Sequence, residues 1–387
     1  MTNTPISTYL LIKLASRCNL ACTYCYWFRD EGVYRTPKLM TEIVEDALIE
    51  RLATHIIRYG LKSFNCIFHG GEPLLFGIDR FKKLIGKMEI VGKSTDCVME
   101  YSITTNGVLI NEEWSAIFKY HSVRVAVSID GTASVHDNFR KKINGRGSHS
   151  AAVRGYQLLK QIGLQPNIIA VCDPKSDPEA TLKFLIEDLE CVNLDVLPPD
   201  LNHNDDIVSI AQYYKTLFDI WYDKYSDSGI KVRFLHSLIR SVLGLETNSD
   251  SFGYGPLHTI SLSTDGALEP NDVLRIGGSE RTKTNANILR SDLDEVAAEK
   301  NWIEAYNSAL KLCSKCENCK YNFACGGGHL SHRWSDNNAY DNPSVYCDDL
   351  MLLFDHVWNR VSADILISDG TRQITLSQFL KKSQNTI

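Results

Sequence analysis

The sequence predicts an α/β protein built on a parallel β-sheet with helices packed outside it. Short apolar runs alternate with helical patterns over residues 1–200, and this alternation is typical of parallel sheets covered by helices. Six strand–helix units are present, two fewer than a closed eight-stranded barrel contains. The chain has 387 residues, which leaves room for a second domain after this region.

The elements follow from apolar periodicity and turn residues. Thr41 precedes a helical pattern that ends at Tyr59, and hydroxyl side chains are favoured just before a first helical turn. An Asp–Gly turn at 265–266 predicts a β-hairpin within residues 258–272. The predicted strands are 8–14, 64–68, 98–104, 123–129, 165–171 and 194–197, and the predicted helices are 41–59, 78–90, 111–120, 150–162, 178–189, 207–225 and 351–367.

Composition excludes several function classes. The net charge of -6 and the pI of about 6.0 do not suit a nucleic-acid partner. The amino-terminal residues lack the pattern of a signal peptide, and no apolar run has the length of a membrane span, so we expect a cytoplasmic protein. Twelve cysteines in such a chain favour metal or cluster ligation over disulfides. Four of them lie in apolar surroundings and are expected in the core: Cys66, Cys97, Cys172 and Cys191.

Three cysteines directly after the first strand form the group around which the chain is organised. Cys18, Cys22 and Cys25 have the spacing C-x3-C-x2-C. Three thiolates on one loop can hold three irons of a 4Fe-4S cluster and leave the fourth iron open to a ligand. The alternatives are a structural zinc knuckle or reduced core cysteines, but zinc usually takes four ligands and no nearby fourth ligand is evident.

Two later strand ends carry further candidate residues. The second strand is followed by Gly70, Gly71, Glu72 and Pro73. The glycines would allow the backbone to approach a ligand closely, and the carboxylate could accept from an ammonium group. The third strand ends before Asn106, which is followed by glycine and could equally form an ordinary Asn–Gly turn.

These motifs, together with Tyr24 before the third cysteine, resemble those of the radical S-adenosylmethionine (SAM) enzymes. The resemblance implies a partial (β/α)6 barrel, open at one side, with its site at the carboxyl ends of the strands. It implies that Glu72 meets the amino group of SAM and that Ser128 and Arg140 bind the ribose and the carboxylate. Arg140 lies in a basic run, so a solvated face is the alternative. The implied cofactor-binding residues are Tyr24, Gly70, Gly71, Glu72, Pro73, Asn106, Ser128 and Arg140.

A second cysteine group lies near the carboxyl end. Its spacing, C-x2-C-x2-C-x5-C with one later cysteine, resembles part of the SPASM domain, which holds auxiliary iron–sulfur clusters. Two positions where that domain has cysteine are Asn271 and His329 here, so the resemblance implies one auxiliary 4Fe-4S cluster. Four thiolates also suit zinc. Cys313 could replace one ligand or remain free, and His329 could be a surface residue, an outer hydrogen-bond donor or a ligand. The implied ligands are Cys316, Cys319, Cys325 and Cys347.

Three further features resemble the peptide maturases that form cyclophanes in ribosomal peptides, the triceptide-type enzymes. They are the run Cys25-Tyr-Trp-Phe-Arg-Asp30, the hairpin Gly266-x3-Pro270-Asn271-Asp272 without a cysteine, and the reduced cysteine set. That resemblance implies a 5'-deoxyadenosyl radical and a cross-link from an aromatic ring carbon to a side-chain β-carbon. Asp272 is the candidate base, with a turn-capping role as the alternative. Alternative functions are a sulfatase-type formylglycine maturase, a thioether- or epimer-forming maturase and, outside the enzymes, an iron–sulfur or zinc redox sensor.

The same resemblance implies partners and a domain plan. The expected partners are a ribosomal precursor peptide and a reducing donor such as flavodoxin or ferredoxin, with no nucleic acid and no membrane. We expect leader recognition to use the barrel, the helices at 202–245 or the tail. The expected domains are a radical SAM barrel at 1–201, a helical linker at 202–250, a SPASM-like domain at 251–350, and a terminal helix and tail at 351–387.

Overall fold

The computed structural model describes residues 6–247, 249–253, 255 and 259–369, with side chains of the last helix described to residue 364. The chain forms two compact units that interleave along the sequence. The first comprises Met1–Ile169 and Leu257–Tyr306, and the second comprises Ala170–Pro256 and Asn307–Ile387. The predicted polar tail beyond residue 369 lies outside the described residues, as does the start of the predicted hairpin at residue 258.

The described residues form eleven strands and twelve α-helices. The strands are β1 (Tyr9–Ala15), β2 (Leu20–Cys22), β3 (Ser63–Gly70), β4 (Val98–Thr105), β5 (Arg124–Ser128), β6 (Arg140–Lys142), β7 (Asn167–Val171), β8 (Asn193–Leu197), β9 (Lys231–Val232), β10 (Ser261–Leu262) and β11 (Leu268–Glu269). The helices are α1 (Glu42–Tyr59), α2 (Ile78–Thr95), α3 (Glu112–Tyr120), α4 (Ala133–Phe139), α5 (His149–Gln161), α6 (Pro178–Lys183), α7 (Ala211–Lys224), α8 (Arg233–Val242), α9 (Lys300–Leu310), α10 (Ser314–Glu317), α11 (Asn322–Cys325) and α12 (Cys347–Asp369).

The first unit is organised around a parallel sheet. Its strands lie in the order β11-β10-β1-β3-β4-β5-β7, and every pair is parallel except β10–β11. Strand β3 alternates between buried and more exposed residues, and Phe64, Cys66 and Phe68 face the core. Helices α1 and α2 pack on each other and bury apolar residues such as Leu48 and Leu84. The predicted α/β class with a parallel sheet is confirmed.

The hairpin at 261–269 completes the edge of this sheet. Leu11 pairs with Ser261 and Ile12 with Leu262, so β10 lies parallel to β1. Gly266 makes the turn with φ +87°, in the left-handed region that glycine adopts without strain. The predicted Asp–Gly turn is therefore confirmed. After this turn β11 runs antiparallel to β10, and the segment that follows β11 brings Asp272 into contact with Lys13 of β1.

The second unit contains the parallel pair β8–β9 and the helices α7, α8 and α12. Helix α7 begins at Ala211, four residues after the predicted start at Ile207. Asp349 accepts hydrogen bonds from the backbone N–H groups of Ile210 and Ala211, so a distant segment caps the helix at this point. The predicted helix 178–189 is also altered. It is α-helical only to Lys183 and continues as a π-helix from Phe184 to Asp188.

The terminal helix and the isolated cysteines follow the sequence prediction. Helix α12 contains the predicted range 351–367 and begins earlier, at Cys347. Cys66, Cys97, Cys172 and Cys191 are all buried. Across the part of the chain that the structure describes, no helix is both long enough and apolar enough to cross a membrane.

Candidate active site and a cysteine-lined cavity

The three amino-terminal cysteines lie on the loop that follows β1. Strand β2 pairs antiparallel with β6, and Cys22 lies opposite Arg140 in this pair. The three thiols are half-buried and form no disulfide. Burial raises the pKa of Cys18 to about 12 and that of Cys22 to about 11, and neighbouring thiols add to the shift. Thiols in this state need a bound cation to lose their protons, and three of them on one loop match the donor set of an open 4Fe-4S cluster.

Gly70 and Gly71 are required by the chain that leads into this loop. A Cβ atom on Gly70 would lie 2.3 Å from the Ala15 carbonyl oxygen, and one on Gly71 would lie 2.4 Å from the Arg17 carbonyl oxygen. The Gly71 N–H donates to Ala15 O at 2.8 Å. The sequence argument assigned these glycines to ligand approach, whereas the structure gives a different physical reason, the close contact with the backbone before Cys18.

Glu72 is fully buried and ties the second and third strand ends together. Its carboxylate accepts from Leu74 N at 3.0 Å, Thr105 Oγ1 at 2.7 Å and Asn106 N at 2.8 Å. Burial raises the pKa of Glu72 to about 7, although the three hydrogen bonds act in the opposite direction. The carboxyl group therefore lacks a cationic partner among the described residues, and a ligand ammonium group would supply one. Pro73 is buried at the start of a short 3-10 helix.

Asn106 forms the predicted Asn–Gly turn and also lies beside the cysteine loop. Its Oδ1 accepts from Val108 N at 3.0 Å, which is an Asx turn, while its Nδ2 donates to Asn19 Oδ1 at 2.7 Å and lies 3.6 Å from Cys18 Sγ. The turn therefore holds an amide donor against the cysteine loop.

Arg140 is buried and not part of a solvated face. Its Nε donates to Asp130 Oδ2 at 2.8 Å, and the Tyr24 hydroxyl donates to the same oxygen at 2.5 Å. The guanidinium lies 5.3 Å from the centre of the Tyr24 ring. Ser128 ends β5 and is also buried. Asp137 accepts from the N–H groups of residues 148 and 149 and thereby holds the loop before α5 in place.

Asp272 faces a buried network that the sequence analysis missed. It forms an ion pair with Lys13 and accepts from the Tyr26 hydroxyl at 2.8 Å. Lys13 Nζ also lies 3.0 Å from His69 Nδ1 and 4.5 Å from the centre of the Trp27 ring. Burial alone would raise the pKa of Asp272, but the charge of Lys13, the neighbouring His69 and the hydrogen bonds from Lys13 and Tyr26 together lower it to about 2.

The turn-capping alternative for Asp272 is wrong, because Asn271 takes that role by accepting from Val273 N. One sequence signal could have identified Lys13. It is the single charged residue in the apolar run of β1, and a lysine at such a position needs a partner.

A second buried ion cluster fixes the hairpin end to the segment after Cys25. Arg275 donates from Nη1 to Asp30 at 2.7 Å and from Nη2 to Glu269 at 2.5 Å, and its guanidinium lies 4.7 Å from the centre of the Trp27 ring. All of these residues belong to the first unit. This cluster positions the backbone next to Asp272, and no motif in the sequence indicated it.

In the second unit, the carboxyl-terminal cysteines line one cavity of about 120 Å³. Its thiol-bearing residues are the four predicted ligands: Cys316, Cys319, Cys325 and Cys347. Burial raises the pKa of Cys316 and of Cys325 to about 12. Cys313 is buried and interacts with Cys316, but it does not line the cavity. Four thiols around one cavity are a donor set that fits a 4Fe-4S cluster and also fits zinc.

Residues 12–185 match the radical SAM superfamily. The chain is 26% identical over 375 residues to a cysteine-type anaerobic sulfatase-maturating enzyme of Clostridium novyi, covering 90% of this chain and 95% of that protein. It is 33% identical over 171 residues to a serine-type anaerobic sulfatase-maturating enzyme of Klebsiella aerogenes, covering 43% of this chain and 40% of that protein.

Solved structures give the same fold. Native anSMEcpe with bound AdoMet and the Kp18Cys peptide aligns with a TM-score of 0.81 at 22% identity, over 92% of this chain and 98% of that one. Streptococcus suis SuiB bound to S-adenosylmethionine aligns with a TM-score of 0.57 at 16% identity, over 88% of this chain and 75% of that one. Residues 12–185 therefore match the radical SAM superfamily, and the predicted fold class of the chain is confirmed. Both of these solved structures hold SAM, which is one of the cofactors predicted for this chain.

Proposed function

We propose that this chain is a radical SAM enzyme that oxidises a side chain of a ribosomally made peptide, starting at a β-carbon. The observation that carries the proposal is the buried carboxylate of Asp272. It is held by Lys13 and by Tyr26, the residue next to Cys25. A proton acceptor is thus fixed beside the loop whose three thiols suit an open cluster. Relatives described as sulfatase-maturating enzymes support action on a polypeptide.

The residues around the loop are proposed to hold SAM. Glu72 would bind the ammonium group, which would relieve the cost of its buried charge. Arg140, already oriented by Asp130, would bind the carboxylate, and Ser128 would bind the ribose. Asn106 and Tyr24 would form the rest of the wall of the SAM site. When bound, SAM and the first cluster would supply radical chemistry for hydrogen removal, and a second cluster held by Cys316, Cys319, Cys325 and Cys347 would supply one-electron redox chemistry.

A residue of this chain is proposed to accept the proton that leaves the peptide substrate. Oxidation by two electrons removes one hydrogen atom, one electron and one proton from the peptide, and Asp272 Oδ2 is the proposed proton acceptor. Lys13 is a positioning residue, because it holds this carboxylate ionised before the reaction. His69 Nδ1 lies 3.0 Å from Lys13 Nζ and accepts from it. Burial and the charge of Lys13 lower the pKa of His69 to about 3, so this imidazole stays neutral and helps to hold Lys13 in place.

Two products are consistent with an oxidation that begins at a side-chain β-carbon. We place cyclophane formation first, because one set of four cysteines lines one cavity and because the motif resemblance implies a single auxiliary cluster. Such a cross-link removes two hydrogen atoms and introduces no oxygen. Formylglycine formation is the second candidate, and it is favoured by the sulfatase-maturating relatives. It leaves an aldehyde at the β-carbon. A thioether or an epimer remains a third, less supported outcome.

One experiment separates these outcomes. The anaerobically reconstituted enzyme is incubated with SAM, dithionite and either an aromatic-rich precursor peptide or a cysteine-containing sulfatase peptide. We expect 5'-deoxyadenosine and a peptide that has lost two hydrogen atoms and does not react with a hydrazide probe. A hydrazide-reactive product would establish formylglycine formation instead. Absence of 5'-deoxyadenosine from a protein with both clusters loaded would overturn the enzyme proposal and favour a redox sensor. Comparison of flavodoxin or ferredoxin with dithionite then tests the proposed electron donors.

A further inference from the structure

We infer that Asp200, His329 and His332 form a zinc-binding site in the second unit, separate from the cysteine-lined cavity. One ligand-type atom from each residue lies within 4.8 Å of the others. The cluster combines two imidazoles with a carboxylate, and the proposed function gives a role to none of the three residues. Imidazole nitrogen and carboxylate oxygen are ligands that zinc takes in proteins.

His332 provides the strongest observation. The residue is 5% exposed, and its Nε2 has no hydrogen-bond partner among the described residues. The nearest carboxylate oxygen, Oδ1 of Asp200, lies 3.5 Å away. A buried polar nitrogen without a partner is uncommon in folded proteins and calls for a ligand. A metal ion between His332 Nε2 and Asp200 would provide one.

His329 is already oriented as metal-binding histidines are. Its Nδ1 lies 2.6 Å from Ser331 Oγ, and the ring nitrogen opposite a metal is usually held by such an outer contact. Its Nε2 lies 3.2 Å from Asp250 Oδ2. Asp250 is exposed, and its carboxylate offers either an additional oxygen ligand or a position that the ion would take over.

Local backbone geometry brings the two histidines together. A 3-10 helix spans Leu330–Arg333, with His329 at its N-cap. Residues three apart are aligned along such a helix, and the two imidazole centres lie 5.1 Å apart. Two atoms bound to one zinc at about 2 Å each are at most about 4 Å apart. Side-chain shifts of about 1 Å would therefore close the site.

The test measures zinc that is bound at a site without cysteine ligands. The enzyme is reconstituted with iron and sulfide, washed with chelator, equilibrated with zinc and analysed for both metals. We expect one zinc per chain in the wild type and at least tenfold weaker zinc binding in His332→Ala and Asp200→Asn. The matched control is His356→Ala, which removes another histidine of the same unit that pairs with an aspartate, Asp219, at 2.9 Å. This control should keep its zinc.

X-ray absorption at the zinc edge keeps the proposal falsifiable if a variant does not fold. The wild type should show only nitrogen and oxygen ligands. Sulfur ligands would place the zinc in a cysteine group and overturn the proposal. Equal zinc content in the wild type and in an Asp200→Asn variant with unchanged iron content would overturn it as well, as would a wild type that binds no zinc during the equilibration.

Discussion

Lys13 and Asp272, which are 259 residues apart in the chain, form an ion pair whose side chains are 1% and 4% exposed. The pair joins the middle of β1 to the third residue after β11. It brings two segments that are remote in sequence to the cysteine loop, and the first prediction concerns what happens when it is broken.

Lys13→Met should destabilise the protein strongly. Removal of one partner of a buried ion pair leaves an uncompensated charge and costs about 3–5 kcal/mol. The free energy of unfolding from urea titration measures this loss. The double variant Lys13→Met/Asp272→Asn should be more stable than the single one, because no charge is then left unpaired. The control Lys62→Met removes an exposed ion pair with Asp96 and should leave stability unchanged. Additive effects of the two site substitutions would contradict the coupling.

Asp272→Asn should separate hydrogen removal from product formation. The amide cannot accept the proton, so the rate of peptide product formation should fall by about 10²–10⁴-fold. Formation of 5'-deoxyadenosine should continue, because it does not require this carboxylate. Chromatography of the nucleoside and mass spectrometry of the peptide measure the two rates. Asp265→Asn, in the same hairpin, is the matched control, and equal product rates in both variants would refute the role of Asp272.

Iron analysis should identify two independent clusters. We expect about eight irons per reconstituted chain and about four in the Cys18/Cys22/Cys25→Ala variant. Substitution of the four cavity-lining cysteines should also leave about four. Cys313→Ala should keep all of the iron, because this thiol does not line the cavity. If Cys313→Ala loses a cluster, the ligand assignment of the second group is wrong.

Glu72 should make stability depend on pH. Its pKa is raised by folding from the ordinary 4.5 to about 7. The folded state therefore binds the proton more tightly, and this contribution is full below about pH 4.5 and is lost as the pH rises through about 7. A shift of this size corresponds to about 3 kcal/mol. The melting temperature of SAM-free enzyme should fall over this interval, and the fall should be smaller in Glu72→Gln. An unchanged pH profile in that variant would contradict the assignment.

Gly71→Ala should prevent assembly of the first cluster. The added Cβ would meet the Arg17 carbonyl oxygen and displace the chain that enters Cys18. We expect loss of about four irons, as in the triple cysteine variant. Gly86→Ala is the control, since a Cβ at this helical position meets nothing within 4 Å and should stabilise α2 by about 1 kcal/mol. Full iron content in Gly71→Ala would show that the loop adapts.

The sequence predicted what depends on local periodicity and on motif spacing. The strand–helix alternation of the first 200 residues, the Asp–Gly hairpin and the four cysteines of the cavity were all found from residues close together in the chain. These features depend on backbone propensity and on the spacing of cysteines along the chain, so they can be identified before any tertiary contact is known.

The features that the sequence did not predict depend on contacts between distant segments of the chain. Arg275 contacts Asp30 across 245 residues, and Asp349 sets the first residue of α7 from more than a hundred residues away. Neither pairing leaves a periodic signal. His69 and Tyr26 were visible beside recognised motifs, but their function as partners of Lys13 and Asp272 appears only when β1, β3 and the hairpin meet.

The position of β10 also constrains the order of events during synthesis on the ribosome. Strand β1 receives its outer neighbour only when Ser261 is available, 250 residues after Leu11. At about 5–20 residues per second, this interval lasts roughly ten to fifty seconds. During that time the outer edge of β1 has unpaired backbone groups that can bind another nascent chain. Lys13, in the same strand, has no ion pair with Asp272 until that residue has been synthesised. Full assembly of the Lys13–Asp272 pair is therefore a late event in the life of each newly made molecule.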